Sequence, residues 1–235
     1  MWNLYKQGGI TPAISSVFNS QNAHQVAYIR SMMKNQRQHS FLSMPLDSLE
    51  IVVFDLETTG FRPKHGDEII SFGGVGVIGG ELIEGDTFYS LVRTVKSIPP
   101  HIEQLTGIKN EMTKDAPEII DVLRNFLSFV KKRVLIAHGT GHDKQFLNQA
   151  LWKTSRATLT HRVLDTMMIA KWLHPNLDHY GLDPLLDLYG IKAANRHHAL
   201  EDAKMTSQLW ACFLQEIKNR QVITLGDLYA YLSQR

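Results

Sequence analysis

Four carboxylates and one imidazole recur along this 235-residue chain at positions where they could do chemistry together. They are Asp55 and Glu57 in IVVFDLETTG, Asp143 in VLIAHGTGHDKQF, and His197 and Asp202 in HHALEDA. Each adjoins a strongly apolar stretch, where an unpaired carboxylate is costly to bury. Asp55 and Glu57 are two apart, so on a strand both side chains leave one face, and their charges repel unless a cation lies between them or one holds a proton. His197 and Asp202 are five apart, roughly 140° around a continuous helix, so they converge only if His197 sits in the loop before a helix and Asp202 in its first turn. His197 would then be free to act as a general base on a water. Taken singly, Asp55 and Glu57 also fit a strand end facing water, Asp143 a helix cap, and His197 a surface histidine. Hard divalent cations bound between converging carboxylates account for the whole set and point to phosphoryl chemistry.

The elements that must position these groups are legible in the apolar pattern. Ile51–Phe54 is a continuous apolar run, as in a strand buried on both faces. Residues 69–78 and 82–92 flank Gly79-Gly80, a dipeptide suited to a tight hairpin, so three strands come first. A helix is expected from Asp115-Ala-Pro-Glu118, with Asp115 as cap, Pro117 in the first turn and Glu118 completing a capping box, followed by an apolar face from Ile119 to Val130. Val134–Ala137 reads as a short buried strand, Lys144–Trp152 as a helix, Val163–Asp165 as a strand and Thr166–Trp172 as a helix. The last long helix is expected from Ala199 to Lys218, with a short amphipathic segment at Leu225–Leu232. Three strands followed by alternating helices and short strands describe a mixed-sheet α/β domain. The expected organisation is a helical extension over residues 1–46, a central domain over 47–218, and a short helical segment over 219–235.

Composition narrows the classes. The formal net charge is only +2, yet residues 1–46 carry Lys6, Arg30, Lys34 and Arg37 and no acid, leaving the rest slightly acidic with 21 basic against 23 acidic residues. Such an arm fits either a solvated surface or a contact to a phosphate backbone or partner. The single cysteine, Cys212, excludes an internal disulfide framework and any multi-cysteine zinc site. No apolar run approaches the roughly 20 residues that span a bilayer, and the N-terminus lacks a secretory apolar core, so no membrane association and a cytoplasmic location are expected.

The ordered motifs resemble the DEDDh family of 3′–5′ exonucleases, which includes the proofreading epsilon subunit of bacterial replicative polymerase. FDLETTG at 54–60, AHGTGHDKQFL at 137–147 and HHALEDA at 197–203 carry the resemblance, with IPPHIEQLTGI at 98–108 and Asp165-Thr166 between them. The resemblance implies a ribonuclease H-like fold flanked by helices. It also implies two divalent cations, Mg²⁺ or Mn²⁺, on Asp55, Glu57, Asp143 and Asp202, with His197 as general base. Thr58, Thr59, Gly60, Leu105, Thr106, Ile108 and His138 are implied substrate contacts. The implied substrate is a single-stranded 3′ end, DNA ahead of RNA, cut to nucleoside 5′-monophosphates, with a DNA polymerase as candidate partner. An RNA-directed exonuclease and a non-catalytic binding or scaffold protein are the alternatives. In the second motif the chain departs from the family, carrying Gly139 and His142 where the family has Asn and Phe. His142 is expected as an exposed residue at a helix start.

Overall fold

The structure, a computed structural model, describes residues 12–36 and 41–233, and side chains within the first helix only for residues 22–34. Lys6 and Arg37 of the basic arm lie outside the described residues. A sheet in the order β3-β2-β1-β4-β5 organises the molecule. Its strands are β1 (Glu50–Thr58), β2 (Ile69–Ile78), β3 (Glu81–Leu91), β4 (Val134–Ala137) and β5 (Val163–Asp165). The apolar run of β1 is buried on both faces, as expected, because β1 is central, antiparallel to β2 and parallel to β4. Gly79-Gly80 forms the hairpin turn between β2 and β3, and Gly79 takes the left-handed conformation (φ 57°) that a residue with a Cβ resists. Below that turn, the buried indole of Trp210 donates to the Gly79 carbonyl at 2.7 Å.

Nine helices are described: α1 (Pro12–Gln36), α2 (Pro100–Thr106), α3 (Asn110–Lys114), α4 (Ile119–Val130), α5 (Gly141–Ser155), α6 (Thr166–Leu173), α7 (Leu182–Leu188), α8 (Ala199–Asn219) and α9 (Leu225–Leu232). They cover both faces of the sheet. Ile51 and Val53 of β1 pack with Leu164, Ile169, Leu185, Leu209, Trp210, Phe213 and Leu228, which brings α6, α7, α8 and α9 onto one face. Val52, Phe54 and Leu56 point the other way, into a core built with Phe126, Leu147 and Leu151 of α4 and α5. Ile29 and Met33 of α1 are buried in that same core. The chain before β1 is also tied to the chain after α8, through Leu46 N–H to the Ile223 carbonyl (2.8 Å) and Gly226 N–H to the Leu42 carbonyl (2.8 Å). Core packing is therefore continuous across residues 46 and 218.

Two local readings need correction. The helix expected from Asp115 begins at Ile119 with Glu118 as its N-cap, and no side chain caps it. Asp115 instead closes the short α3, Pro117 accepts a hydrogen bond from Arg93 N–H, and Glu118 ion-pairs with Arg93, so the capping box is dismantled by tertiary partners. The short helices α2, α3 and α7 were not anticipated, because seven residues or fewer carry too little periodicity to be distinguished from loop.

Candidate active site

The site lies at the carboxyl ends of β1, β4 and β5, the edge where open α/β sheets bind ligands. β1 delivers Asp55 and Glu57 from one face; Glu57 is buried and Asp55 half-buried. Asp143 enters from the first turn of α5, buried at 4% exposure, and Leu56 N–H as well as its own N–H stabilise its carboxylate. Asp202 is likewise buried, in the first turn of α8.

The geometry required of His197 is realised. His198 is the extended N-cap of α8, and His197 precedes it in a left-handed conformation (φ 63°), close behind Asn195 at φ 49°. That turn is closed by a hydrogen bond from His197 N–H to Asp202 Oδ2 at 3.1 Å. Glu57, His197 and Asp202 thereby offer ligand atoms within 4.8 Å of one another.

Electrostatics mark the cluster as short of positive charge. Burial raises the Asp55 carboxyl well above the ordinary carboxylate range, and Asp143, Glu57 and Asp202 add to the rise by repulsion. Burial, reinforced by Asp202 and Asp143, pushes Glu57 up to about 8. Asp143 rises to about 7, chiefly through burial, although the amides of Asp143 and Leu56 oppose it. Arg196 offsets part of the repulsion at Asp55 and Glu57 and ion-pairs with Asp202 and with Asp183. One buried oxygen of the cluster, Asp202 Oδ1, has no hydrogen-bond partner among the described residues. Buried oxygen donors with mutual repulsion and an orphaned lone pair fit hard divalent cations, and Asp55, Glu57, Asp143 and Asp202 supply the donor type such ions take.

The supporting residues divide. Asp165 caps α6 by accepting from Met167 N–H and also accepts from Gly139 N–H and Thr140 N–H, each at 2.9 Å. It therefore clamps the loop that leads into Asp143. His138 is half-buried at the end of β4, with Nδ1 2.9 Å from Thr166 Oγ1. Thr58 and Thr59 are buried and serve their own turn, Thr58 Oγ1 donating to the Gly60 carbonyl and Thr59 Oγ1 accepting from Glu68 N–H. Gly60 leaves room for the Asp67 carboxylate, on which a Cβ there would press. Leu105 is exposed on α2. Thr106 is half-buried and its hydroxyl donates to the Ile102 carbonyl. The expectation for Ile108 is corrected: it is 3% exposed, packed with Ile70, Ile98 and Ile102, and fills core rather than facing a strand.

His142 starts α5 as expected but is half-buried rather than exposed. Its ring lies between Phe61 (5.5 Å) and Phe146 (4.7 Å), and Nε2 is 3.2 Å from Thr58 Oγ1. Gly139 adopts φ 68°, a conformation that the family's Asn also tolerates. Sequence reasoning missed Arg196 and Asp183; Arg196 adjoins the third motif, but a spacing rule for metal ligands gives no weight to a cation.

With this geometry in place, comparison with known proteins is specific. The RNase_T family model, described as Exonuclease, matches residues 52–210. A DNA polymerase III PolC-type protein of Caldanaerobacter subterraneus is 36% identical over 186 residues, 79% of this chain and 13% of that protein. A DNA polymerase III subunit epsilon-like protein of Rhodobacter capsulatus is 32% identical over 204 residues, 86% of this chain and 29% of that protein. The chain thus spans under a third of these relatives' lengths. Among solved structures, the nuclease domain of 3′hExo, a DEDDh family member bound to rAMP, aligns with TM-score 0.63 at 23% identity over 71% of this chain and 92% of that one. Exonuclease X in complex with 5′ overhanging duplex DNA aligns with TM-score 0.59 at 23% identity, over 71% and 92% respectively. These likenesses match the ribonuclease H-like mixed sheet. The chain belongs to the exonuclease family that the RNase_T model describes and is related to DNA polymerase III PolC-type and epsilon-like proteins.

Proposed function

We propose that this chain is a metal-dependent 3′–5′ exonuclease that shortens single-stranded DNA from its 3′ end and releases nucleoside 5′-monophosphates. The observation that carries the reading is the cation-deficient set of half-buried Asp55 with buried Glu57 and Asp143, beside the Asp202–His197 turn. Asp55, Glu57, Asp143 and Asp202 would hold two divalent cations, Mg²⁺ or Mn²⁺, and His197 stands ready as base. When bound, such cations supply Lewis-acid stabilisation of charge at the phosphate and at the departing oxygen.

The chain's own residues do the rest. An imidazole nitrogen of His197 takes a proton as water attacks the terminal phosphorus. The bond to the 3′ oxygen of the preceding nucleotide breaks, and a nucleoside 5′-monophosphate leaves. Asp202 orients this base by accepting from the His197 amide, which fixes the left-handed turn. Thr58, Thr59 and Gly60 shape the adjoining turn, and the exposed Leu105 and the half-buried His138 would meet a frayed end. Apolar contact and stacking with little base-edge readout suit substrates of any sequence.

DNA is favoured over RNA because the relatives are named as DNA polymerase III proteins. The same relatives support a polymerase as partner. The test is steady-state hydrolysis of matched DNA and RNA single strands in Mn²⁺, Mg²⁺ and EDTA, with His197→Ala alongside. Hydrolysis that needs the metal, prefers DNA and slows about 10²–10⁴-fold in the variant is expected. A variant with wild-type kcat would remove His197 from the base role.

A further inference from the structure

The general base of the proposed reaction lies in a turn that pays for a left-handed backbone, so its placement depends on what holds that turn. On the α7 side the turn is secured by Arg196, which ion-pairs with Asp183 and Asp202. On the sheet side the support comes from β3, through a row of residues in register. Asp55 of β1 is paired with Gly73 of β2, and Gly73 with Tyr89 of β3. Residues directly opposite in antiparallel strands face the same side, so Asp55 and Tyr89 flank Gly73 on the site face.

Gly73 is the gap into which α8 is set. A Cβ at Gly73 would overlap the backbone of Ala199 and Leu200, so the first residues of α8 rest directly on β2. The Tyr89 ring then stacks on the ring of His198, with centroids 4.6 Å apart and planes 17° from parallel. Among the described residues His198 Nδ1 is buried without a hydrogen-bond partner, so none of them fixes the ring at that atom. Tyr89 itself is 40% exposed on an edge strand, so it is not retained for core volume. Burial and then the nearby charge of Glu57 raise its phenol above the ordinary range, consistent with a hydroxyl near the carboxylate cluster.

We propose that Tyr89 is a positioning residue for His197: its stack on His198 holds the start of α8, and with it the preceding left-handed turn, in register with Asp55 and Glu57. This rests on the reading of His197 as general base. Tyr89 touches neither substrate nor the reacting atoms in this account. Its contribution is orientation, and small displacements of a catalytic group lower the rate steeply.

The experiment uses the full chain with Mn²⁺ and single-stranded DNA, measuring kcat and KM for Tyr89→Ala, Tyr89→Phe, His198→Ala and Tyr89→Ala/His198→Ala. Each variant is also made with His197→Ala and read under single turnover with excess enzyme. Tyr89→Ala is expected to lower kcat on the order of ten-fold with KM within about two-fold of wild type. Tyr89→Phe, which keeps the ring, should recover most of the loss. The double Ala variant should be no slower than the slower single one, because both remove the same contact. In the His197→Ala background, Tyr89→Ala should cost clearly less than it does with His197 present, since only what it does for Asp202 remains to be lost. A raised KM with unchanged kcat would overturn the proposal by making Tyr89 a strand contact. An equal fractional loss with and without His197 would overturn it by making Tyr89 a general structural support. If His197→Ala slows the enzyme but Tyr89→Ala does not, the inference alone fails; if His197→Ala does not slow it, the base assignment fails first.

Discussion

Replacing Glu57 with Gln tests whether the carboxylate cluster is held together against its own repulsion. Gln keeps the shape of Glu and removes the charge. Burial and the neighbouring Asp202 and Asp143 raise Glu57 from an ordinary 4.5 to about 8. A carboxyl with a higher pKa in the folded state binds more protons folded than unfolded between the two values. Native stability therefore falls as pH rises from about 4.5 to about 8. Worked from that shift, the metal-free protein loses under about 1 kcal/mol to Glu57 at pH 5 and on the order of 3 kcal/mol at pH 7. Glu57→Gln should escape this loss, so the gap between variant and wild type grows by about 2 kcal/mol over that interval, roughly 4–8 °C in Tm for a chain of this size. The assay is thermal or urea unfolding in EDTA from pH 5 to 8. His138, His142 and His161, lowered chiefly by burial, favour the fold as pH rises and act equally in both proteins, so the difference reports Glu57 together with the relief that losing its charge gives Asp55. Mn²⁺ should reverse the order, stabilising wild type more than the variant. A gap that is flat with pH, or a variant less stable than wild type at pH 8 in EDTA, would refute the reasoning.

Other outcomes follow from the supporting residues. Asp165→Ala removes the acceptor for Gly139, Thr140 and Met167 N–H, so it should cost about 1–2 kcal/mol in urea unfolding and weaken Mn²⁺ binding by thermal shift 10–100-fold. Gly139→Asn should be tolerated, because Asn accepts a left-handed backbone and the nearest atom to its Cβ is the mobile end of Met167, whereas Gly139→Val should lose activity and stability. Gly73→Ala should be far more damaging than either change at Gly139, since its Cβ meets α8 backbone that cannot give way; soluble yield and Tm are the readouts.

Much of the fold was legible because its signals are strong where burial is complete. β1, β4 and the long α8 announce themselves by apolar runs and period, and Gly79-Gly80 by turn chemistry. The relation of His197 to Asp202 was also readable, because helix geometry forbids five-residue neighbours from meeting unless a turn intervenes. What failed were positions decided by distant partners. Glu118 left its capping role for Arg93, Ile108 was drawn into a small core with Ile70 and Ile98, and His142 was enclosed by Phe61 and Phe146. Tyr89 and Arg196 carry no motif spacing at all. Their importance emerges only when strand register and ion pairing bring them beside the carboxylates.

Metal-dependent 3′–5′ shortening is tested by following a 5′-labelled linear DNA single strand and an internally labelled circular one, with the wild-type chain and Asp55→Ala in Mn²⁺. The expected result is a ladder shortening one nucleotide at a time from the 3′ end, an intact circle, and no hydrolysis by a still-folded Asp55→Ala. Cleavage of the circle, loss of the label as a mononucleotide before the strand shortens, or undiminished activity in Asp55→Ala would contradict it.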